Sequence, residues 1–353
     1  MSALLEMDGY ASEELSDNRD ERLSMSKTNA TMTEVYNHAL AAWAISTAWE
    51  IGAFEELRAA GPLDTDAFAA DRGLDARSVH ELFRALAAAD VVSREHGKVR
   101  PGPNFDEADR AKSLFHWMTR GCGELFSTLP DLMRTDNRTG SFYRRDAAAI
   151  SVACREINAQ WWNPVFLPVV NELDFTYVAD LGCGSGERLI QLARKRPGIR
   201  GLGIDMAHGA IDVATKAVAE AGLSDRIHIT RGDATALEPR PEYAGVDLLT
   251  SFMMGHDFWP RAEAVTSLRR IREVFPDLKH FLLADATRTT TYADQDMPIF
   301  SMAFEFAHAV MGDYLPTLEE WRPVFEEAGW RLAGHHPISV PADSVMFHLT
   351  PAE

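Results

Sequence analysis

The sequence predicts an α/β protein in which a largely parallel sheet carries helices on both faces, preceded by a smaller, mainly helical domain. Two observations predict it. From Asp174 onward, short apolar runs alternate with helical stretches: "YVADLG", "GIRGLGID", "RIHITRGD", "GVDLLTSFMM", "HFLLADA" and, near the end, "SVMFHLT". Strands that alternate with helices in this way pair in parallel and are covered on both sides. Before that point the periodicity is helical, with a single hairpin-like segment.

Taken in order, residues 1–28 are polar, acidic and without sustained periodicity, which predicts a disordered or loosely held tail with no chemistry. Residues 29–105 form the first domain. There "TEVYNHALAAWAISTAWEIGAFEEL" reads as one Ala-rich helix from Thr33 to Leu57, and "LDTDAFAADRGL" and "DARSVHELFRALAAADVV" follow with Asp at cap positions. The next piece, "VVSREHGKVRPGP", reads as a hairpin, so the segment resembles a winged helix. Residues 106–172 are helical and rich in aromatics, among them Trp117, Phe126, Phe142, Tyr143, Trp161 and Trp162. The alternating domain occupies residues 173–353.

A chain of 353 residues with 46% hydrophobic content suffices for two domains and a sizeable core. Its net charge of −18 disfavours polyanions, since phosphate contacts need a surplus of Lys and Arg on one face. Nucleic acid is therefore not an expected partner. The longest apolar runs fall short of the roughly 20 residues that span a bilayer, and no basic start precedes an apolar block, so no membrane association is expected. Three widely spaced cysteines, Cys122, Cys154 and Cys183, form no CxxC pair, which fits a reducing cytoplasm.

The stretch "VADLGCGSGERLIQLARKRPG" passes from an apolar strand through Gly182, Gly184 and Gly186 into a helix that starts near Glu187. Glycine lets the backbone turn sharply and approach a ligand that a side chain would block. Asp205 ends the next strand, where a carboxylate can accept hydrogen bonds from both ribose hydroxyls. Asp233 ends the third, in reach of an adenine amino group. Met206, Gly232, Ala234 and Ser251 flank these strand ends. With Asp180 just ahead of it, the GxGxG spacing resembles the S-adenosylmethionine-binding motif of class I methyltransferases, which have a Rossmann-like sheet.

From about residue 33 to the end the chain is similar to small-molecule methyltransferases that join a winged-helix dimerisation domain to such a catalytic domain. In natural-product O-methyltransferases of this kind an "HDW" sequence after the fourth strand carries a general-base histidine. Here "GHDFWPRAEAVTSLRRIREVFP" resembles it, with His256 and Asp257. The metal-dependent α-keto acid (phenylpyruvate) C-methyltransferases of the mannopeptimycin type use the same pair, with a second His on a downstream helix, to bind a metal. His308 in "DMPIFSMAFEFAHAVMGDYLP" lies 52 residues beyond His256, a spacing that looks like that family's own. His116, His208, His228, His280, His335, His336 and His348 have no such partners and read as structural or surface residues.

This resemblance implies a homodimeric enzyme of natural-product or non-proteinogenic amino acid biosynthesis that uses S-adenosylmethionine to methylate carbon 3 of a 2-oxo acid. Two imidazoles and a carboxylate leave open positions on an iron-like or zinc ion for a chelating substrate, and coordination of the ketone oxygen would favour the enolate by several kcal/mol. The substrate carboxylate would meet an arginine, with Arg120, Arg144 and Arg145 as candidates. Met253, Phe300 and Phe304 would wall the pocket. Two alternatives stay open. One is an O-methyltransferase with His256 as base; the other is a winged-helix regulator that senses S-adenosylmethionine. Charge speaks against the latter: its recognition helix offers Arg77 and Arg84 against Asp75, Glu81 and Asp90.

Overall fold

In the computed structural model, residues 30–352 are described; the expected tail, residues 1–28, lies outside them. The chain divides into two units, one of residues 51–105 with the segment up to Ala44, the other of residues 45–50 and 106 onward.

The first unit holds strands β1 (Leu63–Asp64), β2 (Val92–Glu95) and β3 (Lys98–Pro101) in an antiparallel sheet of order β1-β3-β2. Asp64 and Asp75 cap helices Thr65–Asp71 and Ala76–Ala87, each accepting a backbone N–H three residues on, as short acidic side chains do at helix starts. Phe54 packs on Phe105 and Phe68 on Phe83. The single helix expected over Thr33–Leu57 is two, Met32–Glu50 and Ala53–Ala60. Gly52, at φ 75°, breaks it, a left-handed turn that only glycine enters freely.

The second unit centres on a seven-stranded sheet of order β6-β5-β4-β7-β8-β10-β9, built from β4 (Tyr177–Leu181), β5 (Arg200–Asp205), β6 (Ile227–Arg231), β7 (Leu248–Phe252), β8 (His280–Asp285), β9 (Trp330–Ile338) and β10 (Ser344–Pro351). The first five are parallel, and β10 runs antiparallel to both of its neighbours, β8 and the edge strand β9. Alternate residues enter opposite cores: Val178, Leu248 and Leu282 on one face, Ala179, Leu249 and Leu283 on the other, as the two-residue period of a strand requires. Strand β9 is not expected from the sequence. Its "WRLAGHHPI" is half-exposed along an edge, so it lacks the apolar run that marks a buried strand.

Ahead of the sheet, helices Phe105–His116 and Ala147–Ile157 each run into a π-helical turn, Trp117–Gly121 and Asn158–Trp162. Such turns insert a residue and re-aim side chains, frequently beside functional sites. Among the described residues, no helix is long and apolar enough to cross a membrane.

Candidate active site

The carboxyl ends of β4, β5, β7 and β8 lie side by side, which is where open parallel sheets place their ligands. Beyond β4 the chain turns through Gly182, Gly184 and Gly186, all left-handed at φ 69°, 52° and 73°. Helix Glu187–Lys195 starts where expected. The Gly184 amide donates to Asp205 Oδ2 at 2.9 Å, and the Ala207 amide to Oδ1 at 2.9 Å, so the loop and the end of β5 hold each other. A Cβ on Gly184 would meet nothing within 4 Å; this glycine opens onto a cavity of about 790 Å³ whose wall includes Gly182, Arg145, Cys154, Arg188 and Met253.

Asp205 is half-buried, while Met206 and Asp233 stand exposed at the strand ends; none of the three is in the wall of this cavity. Asp233 accepts from the Thr235 amide and hydroxyl. Gly232 and Ala234 pack inward, Gly232 so closely that a Cβ would stand 2.7 Å from Ile204. Two expected donor contacts face elsewhere. Asp180 is fully buried, bonded to Arg188 at 3.2 Å and to the Thr250 hydroxyl at 2.6 Å. Burial holds its carboxyl above the usual range, against the pull of Arg188. The Arg188 guanidinium lies 3.5 Å over the Phe252 ring and lines the cavity in its place. Ser251 is also buried, its hydroxyl without a hydrogen-bond partner among the described residues.

Past β7 the backbone is strained at Met253, φ 57°, an unusual conformation for a large side chain. A short 3₁₀ turn, Gly255–Phe258, then presents His256 and Asp257. His256 is buried, and its Nδ1 donates to Asp285 Oδ1 at 2.9 Å. Burial alone would lower this imidazole, but the Asp285 charge and hydrogen bond, with Asp257 and Asp313 nearby, push it up to about 9. His308, on helix Ser301–Met311, donates Nδ1–H to the Phe304 carbonyl at 2.7 Å, which leaves Nε2 with the lone pair. Burial, and then the neighbouring His256, lower it to about 3. The two rings lie 5.0 Å apart, nearly perpendicular.

Asp257 Oδ1 is 3.8 Å from His256 Nε2, and its side chain is 53% exposed. As the side chains stand, no group of three or more His, Cys, Asp or Glu among the described residues is placed to hold a metal ion. The structure therefore brings the two imidazoles together without a closed three-ligand centre, because the carboxylate of the trio faces partly outward.

Of the three candidate arginines only Arg145 reaches the site. It lines the cavity, and its charge acts on Asp257 and on His308. Arg120 is instead bound by Glu50 at 2.9 Å, and Arg144 is exposed. Phe300 and Phe304 are buried rather than cavity-lining: both pack on Trp117, and the Phe304 ring lies tilted against His308, centroids 4.0 Å apart. They back the histidine instead of walling the pocket. Asp285 and Arg188 are not among the residues that the sequence singles out. The former carries a legible signal, an acid closing the apolar strand "HFLLAD" in the manner of Asp205; the latter's role depends on the chain's folding over Phe252.

Residues 178–277 match the model of a methyltransferase domain. Over 328 residues the chain is 44% identical to methyltransferase ungE' of Aspergillus campestris, covering 90% of this chain and 96% of that protein. The chain is a class I S-adenosylmethionine-dependent methyltransferase. A shorter match, 31% identical over 46% of this methyltransferase and 49% of the relative, is to indolepyruvate C-methyltransferase of Streptomyces griseus. Among solved structures, mitomycin 7-O-methyltransferase MmcR superimposes with a TM-score of 0.64 at 20% identity, covering 96% of this chain and all of that one. S-adenosylmethionine is accordingly its methyl donor.

Proposed function

We propose that this methyltransferase transfers the methyl group to carbon 3 of a 2-oxo acid, in natural-product or non-proteinogenic amino acid biosynthesis. The observation that carries this reading is the pairing of His256 and His308, 5.0 Å apart, each with Nδ1 held by an acceptor, Asp285 or the Phe304 carbonyl. An acceptor on the far nitrogen fixes tautomer and ring plane in metal-binding histidines, so the donor set suits a divalent or ferric ion such as iron or zinc. His256, His308 and an inward-turned Asp257 would hold it. A bound ion would supply Lewis acidity toward the ketone oxygen.

The protein's own residues do the rest. Arg145 takes the substrate carboxylate, since a guanidinium pairs two donors with two carboxylate oxygens. The glycine loop, Asp205 and Asp233 hold the methyl donor, and proximity of carbon 3 to the sulfonium methyl contributes much of the rate. The indolepyruvate relative supports an oxo acid with an aromatic side chain. The three free cysteines suit a reducing cytoplasm. The first unit serves as a winged-helix dimerisation domain.

The test is a panel of 2-oxo acids with isotopically labelled methyl donor. Label at carbon 3 of an arylpyruvate is the expected result; label on oxygen, or none on any oxo acid, contradicts it. Metal analysis of the purified protein, with activity before and after exhaustive chelation, tests the ion separately.

A second reading is favoured by the His256–Asp285 hydrogen bond, which orients an imidazole as a general base for O-methylation. On that reading kcat/KM climbs with pH until the imidazolium loses its proton near 9, and chelation has no effect.

A further inference from the structure

Gly182, the first glycine of the donor loop, has a different neighbour from the other two. A Cβ there would collide with the sulfur of Met254, whereas at Gly184 it would meet nothing within 4 Å and at Gly186 it would touch Ala214 at 3.3 Å. Gly184 is thus the glycine that leaves room for the ligand, and Gly182 leaves room for Met254. An unbranched thioether can enter so narrow a gap against backbone.

Met254 also begins the turn that carries His256. Its carbonyl accepts the Asp257 amide at 3.2 Å, and the preceding Met253 amide is bonded to the Ala284 carbonyl at 2.8 Å. On the other flank Gly255 is pressed against Asp285, where a Cβ would stand 2.8 Å from Oδ2, and Asp285 holds the His256 ring. One short turn is therefore pinned at one end to the donor loop and at the other to the carboxylate that orients the imidazole. Met253 keeps this shape in a left-handed conformation, φ 57°. Strain of this kind persists only where surrounding contacts fix it.

We propose that Met254 is a positioning residue that couples occupancy of the methyl-donor loop to the setting of the His256 imidazole. A donor lying along Gly182 and Gly184 changes what the loop presents to the thioether, and Met254 passes that change two residues on to His256. Coupling of this kind needs a contact that differs between the donor-free and donor-bound states; the Gly182–Met254 contact is that element. The inference holds whether carbon or oxygen receives the methyl group.

The experiment is NMR of the full chain with ¹⁵N-labelled histidine, the His256 ring being assigned by His256→Gln and titrated with S-adenosylhomocysteine. In the unaltered protein the His256 ring signals move on saturation. In Met254→Ala that movement is lost, while affinity for S-adenosylhomocysteine changes less than about fivefold and turnover falls through kcat rather than through the donor KM. Gly182→Ala gives a second route: its Cβ displaces the thioether, so the His256 signals move without any ligand. Signals in the unaltered protein indifferent to saturating ligand, a movement that survives in Met254→Ala, collapse of ligand affinity in that variant, or unmoved signals in Gly182→Ala each overturn the proposal.

Discussion

At the scale of single residues, the site turns on side chains that set one another's charge and direction. Asp285 both orients His256 and holds its proton. Asp285→Asn keeps the shape and removes the charge, so activity should fall about 10- to 100-fold, the usual loss when a partner behind a working imidazole is removed. Affinity for S-adenosylhomocysteine, measured by calorimetry, should be unchanged. Gly255→Ala should act in the same way, because its Cβ would stand 2.8 Å from Asp285 Oδ2 and neither group is at the end of a flexible chain. Arg145→Ala should raise the KM for a 2-oxo acid by about 10- to 100-fold, since a hydrogen bond to a charged group contributes about 1.5–3 kcal/mol. The KM for the corresponding methyl ester should barely move, and equal losses for acid and ester would place the carboxylate elsewhere.

Among the elements, β10 is the strand on which the antiparallel side of the sheet depends, paired to β8 on one side and β9 on the other. Its Phe347 is 1% exposed and meets Phe325 at 4.8 Å and Trp321 at 5.8 Å. Phe347→Ala should therefore cost about 3–5 kcal/mol, read as a lower urea midpoint with an unchanged slope. The end of helix Met32–Glu50 is not legible in the sequence, because "WEIGAFEEL" continues the helical pattern through Gly52. A lone glycine in such a pattern is compatible with an unbroken helix, and whether it turns left-handed depends on how the residues on either side of it pack.

The whole molecule should lose stability in mild acid. His280 Nδ1 and His348 Nε2 are 3.0 Å apart across β8 and β10, and burial, followed by the charges of His280, His336 and Arg331, lowers His348 from 6.5 to about 4. Between those values the unfolded chain binds a proton that the folded one refuses, so unfolding free energy falls as pH falls from 6.5 toward 4. His308 acts in the same direction. His256 acts oppositely, stabilising below 6.5 and ceasing to do so as pH rises through about 9. His348→Gln should flatten the acid side of a pH series of urea midpoints and leave the alkaline side alone. The homodimer we propose has its own test. Met32, Tyr36, Leu40 and Trp43 are exposed along helix Met32–Glu50, so Tyr36→Glu with Leu40→Glu should convert a dimer to a monomer in light scattering.

Periodicity and spacing determined the alternating sheet, the glycine loop and the strand-end acids Asp205 and Asp233, because each is a local pattern with a local physical cause; the pairing of His256 with His308, 52 residues apart, was implied by the family resemblance. Only the tertiary structure decided which groups meet. It buried Asp180 against Arg188, put Arg145 and neither Arg120 nor Arg144 in the cavity wall, added Asp285 behind His256, and set Phe300 and Phe304 behind His308. Those outcomes depend on how β4, β7, β8 and the helices ahead of the sheet lie against one another. No window of sequence contains both partners of such a contact, so the chemistry of each side chain was legible while its neighbour was not.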